Sequence, residues 1–147
     1  MTTTAERNAE AFRRLIERGP NLGDLSVIDD VVAPDCSYHV PVSPEPLRGA
    51  EAVKQLISGF RAAFPDLHVT IDELIADGDI VVARVTATGT HEGELLGHPA
   101  TSRTASWTVV HWAHFSDGLL IEDRVTFDVR GLLTQLGLSA AQPVPAS

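Results

Sequence analysis

The apolar positions at the start of the chain recur with a helical period. Ala5, Ala9, Phe12 and Ile16 fall on one face, Thr3 and Glu6 stand at capping-box spacing, and Gly19-Pro20 ends the pattern, which predicts a first amphipathic helix. Asp24 caps a shorter second helix carrying Leu25, Ile28, Val31 and Val32, closed by Ala33-Pro34. Cys36, Tyr38 and Val40 alternate with Ser37 and His39, a short strand that runs into the proline loop Pro41 to Pro46. From Gly49 a third helix is marked by Val53, Leu56, Ile57, Phe60 and Phe64 and stops at Pro65-Asp66. The period then drops to two. Leu67 to Ala76 and Ile80 to Thr90 read as strands joined at Asp77-Gly78, a glycine-rich stretch covers Gly89 to Arg103, and Arg103 to Phe115 forms a long strand. Asp117-Gly118 turns that strand into a partner ending at Asp128, after which Leu132, Leu133 and Leu136 have helical spacing up to Gly137.

Helices followed by a strand meander predict an α+β fold with the helices on one face of the sheet. The 147 residues read as a single domain, 1–147, with a frayed tail over about 138–147. A formal charge of −9, with a single lysine at Lys54 and no basic run, argues against nucleic acid as a partner. The lone Cys36, the charged helical N-terminus and the lack of a long apolar run predict a cytoplasmic protein with no internal disulfide and no membrane span. No nucleotide-binding glycine motif, serine elbow or Cys/His cluster is present, which removes dinucleotide chemistry, covalent serine catalysis and a zinc site from consideration.

Asp128 sits at a strand-to-helix junction and reads in two ways. It is a helix N-cap, accepting free N–H groups of the first turn, or a general base at the mouth of a sheet-lined pocket, with its pKa raised by apolar neighbours such as Phe127.

The stretch Gly89-Thr90-His91-Glu92-Gly93 through Gly97-His98-Pro99-Ala100-Thr101 resembles the GTH-x-G-x-x-x-G-x-P-A-T element of SnoaL-like polyketide cyclases, also called ester cyclases. FPDLHV at Phe64 to Val69, the hairpin at Asp117 to Glu122 and the D-x-x-x-L-L-x-Q-L-G ending at Asp128 to Gly137 match as well, so the likeness runs from Ala9 to Gly137. It implies a cone of the nuclear-transport-factor-2-like (NTF2-like) type, a curved antiparallel sheet wrapped around helices with an apolar pocket, and a homodimer across the sheet. The activity implied is ring closure in a small hydrophobic polyketide-like substrate by intramolecular aldol condensation, with no metal or coenzyme. The family's base is an aspartate on the last strand, and the matching position is Asp128. The chain departs from the family pattern in having His114 just before the turn and Asp123-Arg124 after Glu122.

Which hairpin face looks inward depends on the turn. A simple two-residue turn sets Phe115 against Leu120 and groups Trp107, Val109, His111 and Ala113 with Asp128 and Arg124. A bulge at Gly118 would instead bring Thr108, Trp112 and His114 to that face. The resemblance favours the bulge, because family members with a histidine near the turn place it beside the catalytic aspartate. The expected catalytic pair is therefore Asp128 and His114, with Tyr38, His39, Phe60, His91, Trp107, Trp112 and Arg124 lining the pocket. Two other readings use the same pocket: a pericyclic cyclase or isomerase working by cavity shape, and a non-catalytic dimer that binds a hydrophobic ligand.

Overall fold

The computed structural model describes residues 2–138, so the expected tail lies, apart from Leu138, outside the described residues. Helix α1 (Thr4–Arg18) opens with the expected capping box, Thr3 Oγ1 accepting from the Glu6 N–H at 3.0 Å and Glu6 Oε1 from the Thr3 N–H at 3.1 Å. Its apolar face places Phe12, Leu15 and Ile16 in the core, each contributing roughly 1.5–3 kcal/mol by burial. The second helix, α2 (Ser26–Val31), stops earlier than the spacing predicts. Val32, Ala33 and Pro34 already belong to strand β1 (Val32–His39), because Val32 pairs with Leu120 and Pro34 disfavours helical backbone at residue 33. A two-residue strand, β2 (Leu47–Arg48), leads into α3 (Gly49–Ala63).

Strands β3 (His68–Asp77), β4 (Ile80–Thr90), β5 (Thr104–Ser116) and β6 (Leu119–Phe127) form the expected meander, and α4 (Val129–Gln135) follows at once. The full six-stranded sheet has the order β2-β1-β6-β5-β4-β3. It is mixed and not wholly antiparallel, since β1 runs parallel to β6. Parallel neighbours need a long crossover between them, and here the crossover runs from β1 through α3 and the meander.

The Asp117-Gly118 turn is tight, with φ of 51° and 80°, which matches the right-handed twist of a hairpin. Ser116 faces Leu119 and Phe115 faces Leu120, so the turn is the simple two-residue kind and the expected bulge is not at Gly118. The register slips one step later, between the Phe115–Leu120 and His114–Glu122 pairs, leaving Ile121 as the extra residue. That slip decides the site.

Two glycines of the glycine-rich loop are required by packing. Gly89 lies against Phe64, where a Cβ would stand 2.8 Å from the Phe64 Cβ, and a side chain at Gly93 would collide with the Ala62 carbonyl. Glu92 and Gly93 both donate to the Ala63 carbonyl, tying the loop to the end of α3. At the open edge of the sheet, Asn21 takes the place of a neighbouring strand: its Oδ1 accepts from the Val69 N–H at 2.6 Å and its Nδ2 donates to the Val69 carbonyl at 2.9 Å.

Candidate active site

Between the inner sheet face and α3 lies an apolar cavity enclosing about 100 Å³, or about 610 Å³ when its open mouth is counted. The inner face is set by alternation along β5, where Trp107, Val109, His111, Ala113 and Phe115 are all buried. Helix α3 contributes Leu56, Ile57 and Phe60, β1 contributes Tyr38, and β6 contributes Val125 and Phe127. Phe60 and Phe127 meet edge to face with centroids 6.1 Å apart, an arrangement aromatic pairs favour. Apart from Tyr38, Trp107 and His111 the lining is wholly apolar, so the cavity offers few polar contacts.

The bulge at Ile121 gives β6 its chemistry. Without it, the inward positions after Leu120 would be Glu122, Arg124 and Thr126. With it they are Asp123, Val125 and Phe127. Asp123 thereby arrives in the core, fully buried, opposite Ala113 on β5 and beside Tyr38 on β1. Its Oδ2 lies 2.8 Å from Nδ1 of His111, a residue that is 6% exposed and lines the cavity. Phe12 of α1 packs edge-on against the imidazole, with centroids 5.1 Å apart. With Asp123 as a carboxylate, which only accepts, the shared hydrogen belongs to Nδ1, and a neutral imidazole then carries its lone pair on Nε2. Asp123 Oδ1 has no hydrogen-bond partner among the described residues. Burial, with Asp123 adding to it, pushes the Tyr38 phenol well above its usual pKa, and burial, reinforced by Asp123, Asp35 and Glu122, pushes the Cys36 thiol up to about 12. Both groups stay neutral near pH 7.

The expected pair of Asp128 and His114 is not brought together. Phe127 faces inward, so Asp128 points out. It is exposed, and its Oδ1 accepts from the Gly131 N–H at 2.8 Å as the N-cap of α4. His114 lies on the outer sheet face, opposite Glu122 and Ile80. Trp112 and Arg124 pair with each other on that same face, and both are exposed. His39 also faces outward, 3.0 Å from Ser37 Oγ and 3.7 Å from Glu122. His91 is fully buried but outside the cavity: Nδ1 accepts from the Thr101 N–H at 3.2 Å, and the ring leans on Phe64. Tyr38, Phe60 and Trp107 do line the cavity as expected.

His111 and Asp123 were outside the expected set, yet the sequence carries a sign of them. On β5 every odd position other than 111 is apolar while the even ones are mixed, Val110 and Trp112 among them, which places His111 with Trp107 and Phe115 and His114 with Thr104, Ser106 and Thr108. On β6 the parity changes between Leu120 and the pair Val125 and Phe127, and only a bulge reconciles the two. Among the described residues no three His, Cys, Asp or Glu side chains are placed to hold a metal, and no helix is long and apolar enough to cross a membrane.

Comparison with known proteins places this geometry among relatives. The family model described as SnoaL-like polyketide cyclase matches residues 9–136. The nogalonic acid methyl ester cyclase of Streptomyces nogalater is 30% identical over 119 residues, 80% of this chain and 88% of that protein. The aklanonic acid methyl ester cyclase AcmA of Streptomyces galilaeus is 29% identical over 129 residues, 86% of this chain and 88% of that one. A structure described as a SnoaL-like polyketide cyclase from Jannaschia sp. CCS1 superposes with a TM-score of 0.85 at 24% identity, covering 97% of this chain and 98% of that chain, a likeness of fold that matches the NTF2-like cone. IdmH from Streptomyces antibioticus gives a TM-score of 0.78 at 29% identity over 89% of this chain and 99% of that chain.

Proposed function

The chain belongs to the SnoaL-like polyketide cyclase family, and we propose that it closes a ring in a polyketide-type intermediate by a cofactor-independent, intramolecular aldol-type condensation with His111 as general base. The observation that carries the reading is the buried His111–Asp123 pair, at 2.8 Å, opening onto an apolar cavity through the imidazole alone. Asp123 holds the ring in the tautomer that leaves Nε2 free and stabilises the imidazolium once it forms, the part an orienting carboxylate plays beside a catalytic histidine.

In this reading Nε2 takes a proton from the carbon next to a substrate carbonyl, leaving an enolate. The enolate carbon attacks a second carbonyl carbon of the same molecule, a carbon–carbon bond forms, and the carbonyl electron pair moves to oxygen. The resulting alkoxide takes the proton back from the imidazolium. Atoms and charge balance without oxidant, reductant or metal, and the product is an isomer of the substrate. The apolar walls exclude water from the enolate and fold the flexible chain so that its reacting carbons meet.

The names of the relatives supply probe substrates, nogalonic and aklanonic acid methyl esters. His111→Gln and Asp123→Asn should lower turnover of an accepted ester by about 10²–10⁴, the usual worth of a positioned base. Product formation followed by chromatography checks this. Turnover within a few-fold of wild type in both variants would transfer the reading to a cavity that works by shape, as in pericyclic closure.

The proposal includes a homodimer formed through the outer sheet face. There Ile75, Val82 and Trp112 stand in one cross-strand row, with Ile75 61% and Trp112 49% exposed.

A further inference from the structure

An aldol closure needs a donor for the enolate oxygen as well as a base, and the Tyr38 hydroxyl is well placed to be one. The phenol comes from β1, where Tyr38 is register partner to Asp123 across the parallel β1–β6 pair, so it stands beside the carboxylate that holds His111. Its side chain lines the cavity and is 7% exposed. Its hydroxyl makes no hydrogen bond to a described residue and is not among the buried unpartnered atoms, unlike Oδ1 of Asp123, its neighbour across the strand pair. The hydroxyl is therefore reached from the cavity, where a ligand oxygen can accept its hydrogen. Apart from His111, the remaining polar group that lines the cavity is the indole of Trp107. Trp107 lies four residues from His111 along β5, roughly 13 Å at strand rise, too far to serve the carbon that Nε2 deprotonates.

We propose that Tyr38 is a catalytic hydrogen-bond donor to the oxygen of the substrate carbonyl that His111 enolises, which makes the site a base and oxyanion-donor pair supplied by β5 and β1. This deepens the reading above and rests on it. The phenol keeps its own proton throughout: the substrate proton travels to Nε2 and returns to the new alkoxide, while the Tyr38 O–H contact shortens as negative charge gathers on the enolate oxygen. Such a donor acts mainly on the transition state. Burial supports the assignment, since a phenol whose ionisation is pushed up remains a donor beside a base.

Tyr38 is the single tyrosine of the chain. Growth on 3-fluorotyrosine therefore labels this one position and makes its phenol a slightly stronger donor without changing its shape. The probe is 2-naphthol, a flat enolate mimic whose neutral and ionised forms differ in fluorescence. The expected result is a shift of the single ¹⁹F resonance on titration, a greater naphtholate fraction in the fluorinated protein, and weakening of binding by about tenfold in Tyr38→Phe, against a change of less than about threefold in Trp107→Phe. With an accepted ester substrate, Tyr38→Phe should lower kcat by about 10²–10³ and leave KM within a few-fold. An unmoved resonance, or equal binding by wild type and Tyr38→Phe with His111→Gln impaired, overturns the donor and leaves the base standing. Failure of 2-naphthol to bind the wild type at all overturns the cavity reading itself. The fluorinated protein keeps the test decisive if Tyr38→Phe does not fold.

Discussion

Asp123 is the residue on which the proposed chemistry turns. One of its oxygens meets His111 and the other has no partner among the described residues, so its charge favours protonation of every acid nearby. Cys36 feels this after the effect of burial, and its thiol is held up from 9.0 to about 12. A raised thiol pKa favours the neutral form in the folded state, so the stability it contributes is present below pH 9 and is lost as pH rises from about 9 towards 12. Chemical denaturation at pH 7.5 and pH 10.5 should therefore show a smaller loss of stability in Cys36→Ala than in wild type. Tyr38, shifted in the same direction, retains its share of the slope in both proteins. The buried thiol should also react with disulfide reagents at pH 8 only as fast as the protein opens.

At the scale of elements, the Asp128 junction separates two jobs that a sequence pattern runs together. The strand ends on an inward Phe127 and the helix begins at Val129, so the intervening aspartate points to solvent and caps α4. Asp128→Asn keeps a capping side chain and should leave both turnover and melting temperature close to wild type. Asp128→Ala should cost about 1 kcal/mol in a denaturation experiment with turnover within a few-fold. A drop of 10² or more in the asparagine variant would return the base to Asp128. The helices, turns and long strands of the chain were legible because each is signalled locally, by the capping box at Thr3 and Glu6, by Asp117-Gly118 and by the β-branched run from Ile80. The early end of α2 was not, since Val32 suits a helix by spacing and joins a strand through its pairing with Leu120, 88 positions away along the chain.

Across the whole molecule, the sheet divides the residues into a cavity side and an outer side, and the outer side carries what the cavity does not use. His39, His114, Trp112 and Arg124 all lie there, around Glu122, which pairs with Arg124 and lies 3.7 Å from His39 Nε2. Trp112 and Ile75 are large, apolar and exposed in one cross-strand row, which is why the proposed homodimer uses this face. Trp112→Arg should shift the protein from dimer to monomer in sedimentation or light scattering and leave the far-ultraviolet circular dichroism unchanged. A dimer that persists in Trp112→Arg would move the contact elsewhere.

Composition, period and turn residues determined that this chain is an α+β protein with a four-strand meander, because those signals act over a few residues. The parity of β5 and β6 hints at a bulge, and the tertiary structure decided where it sits and so which histidine and which carboxylate meet. One extra residue at Ile121 reverses the alternation of β6, replacing an inward Glu122 and Arg124 with Asp123 and Val125. A strand has a side-chain period of two, so a single unpaired residue exchanges its faces, and where that residue sits is settled by which face the opposing core buries.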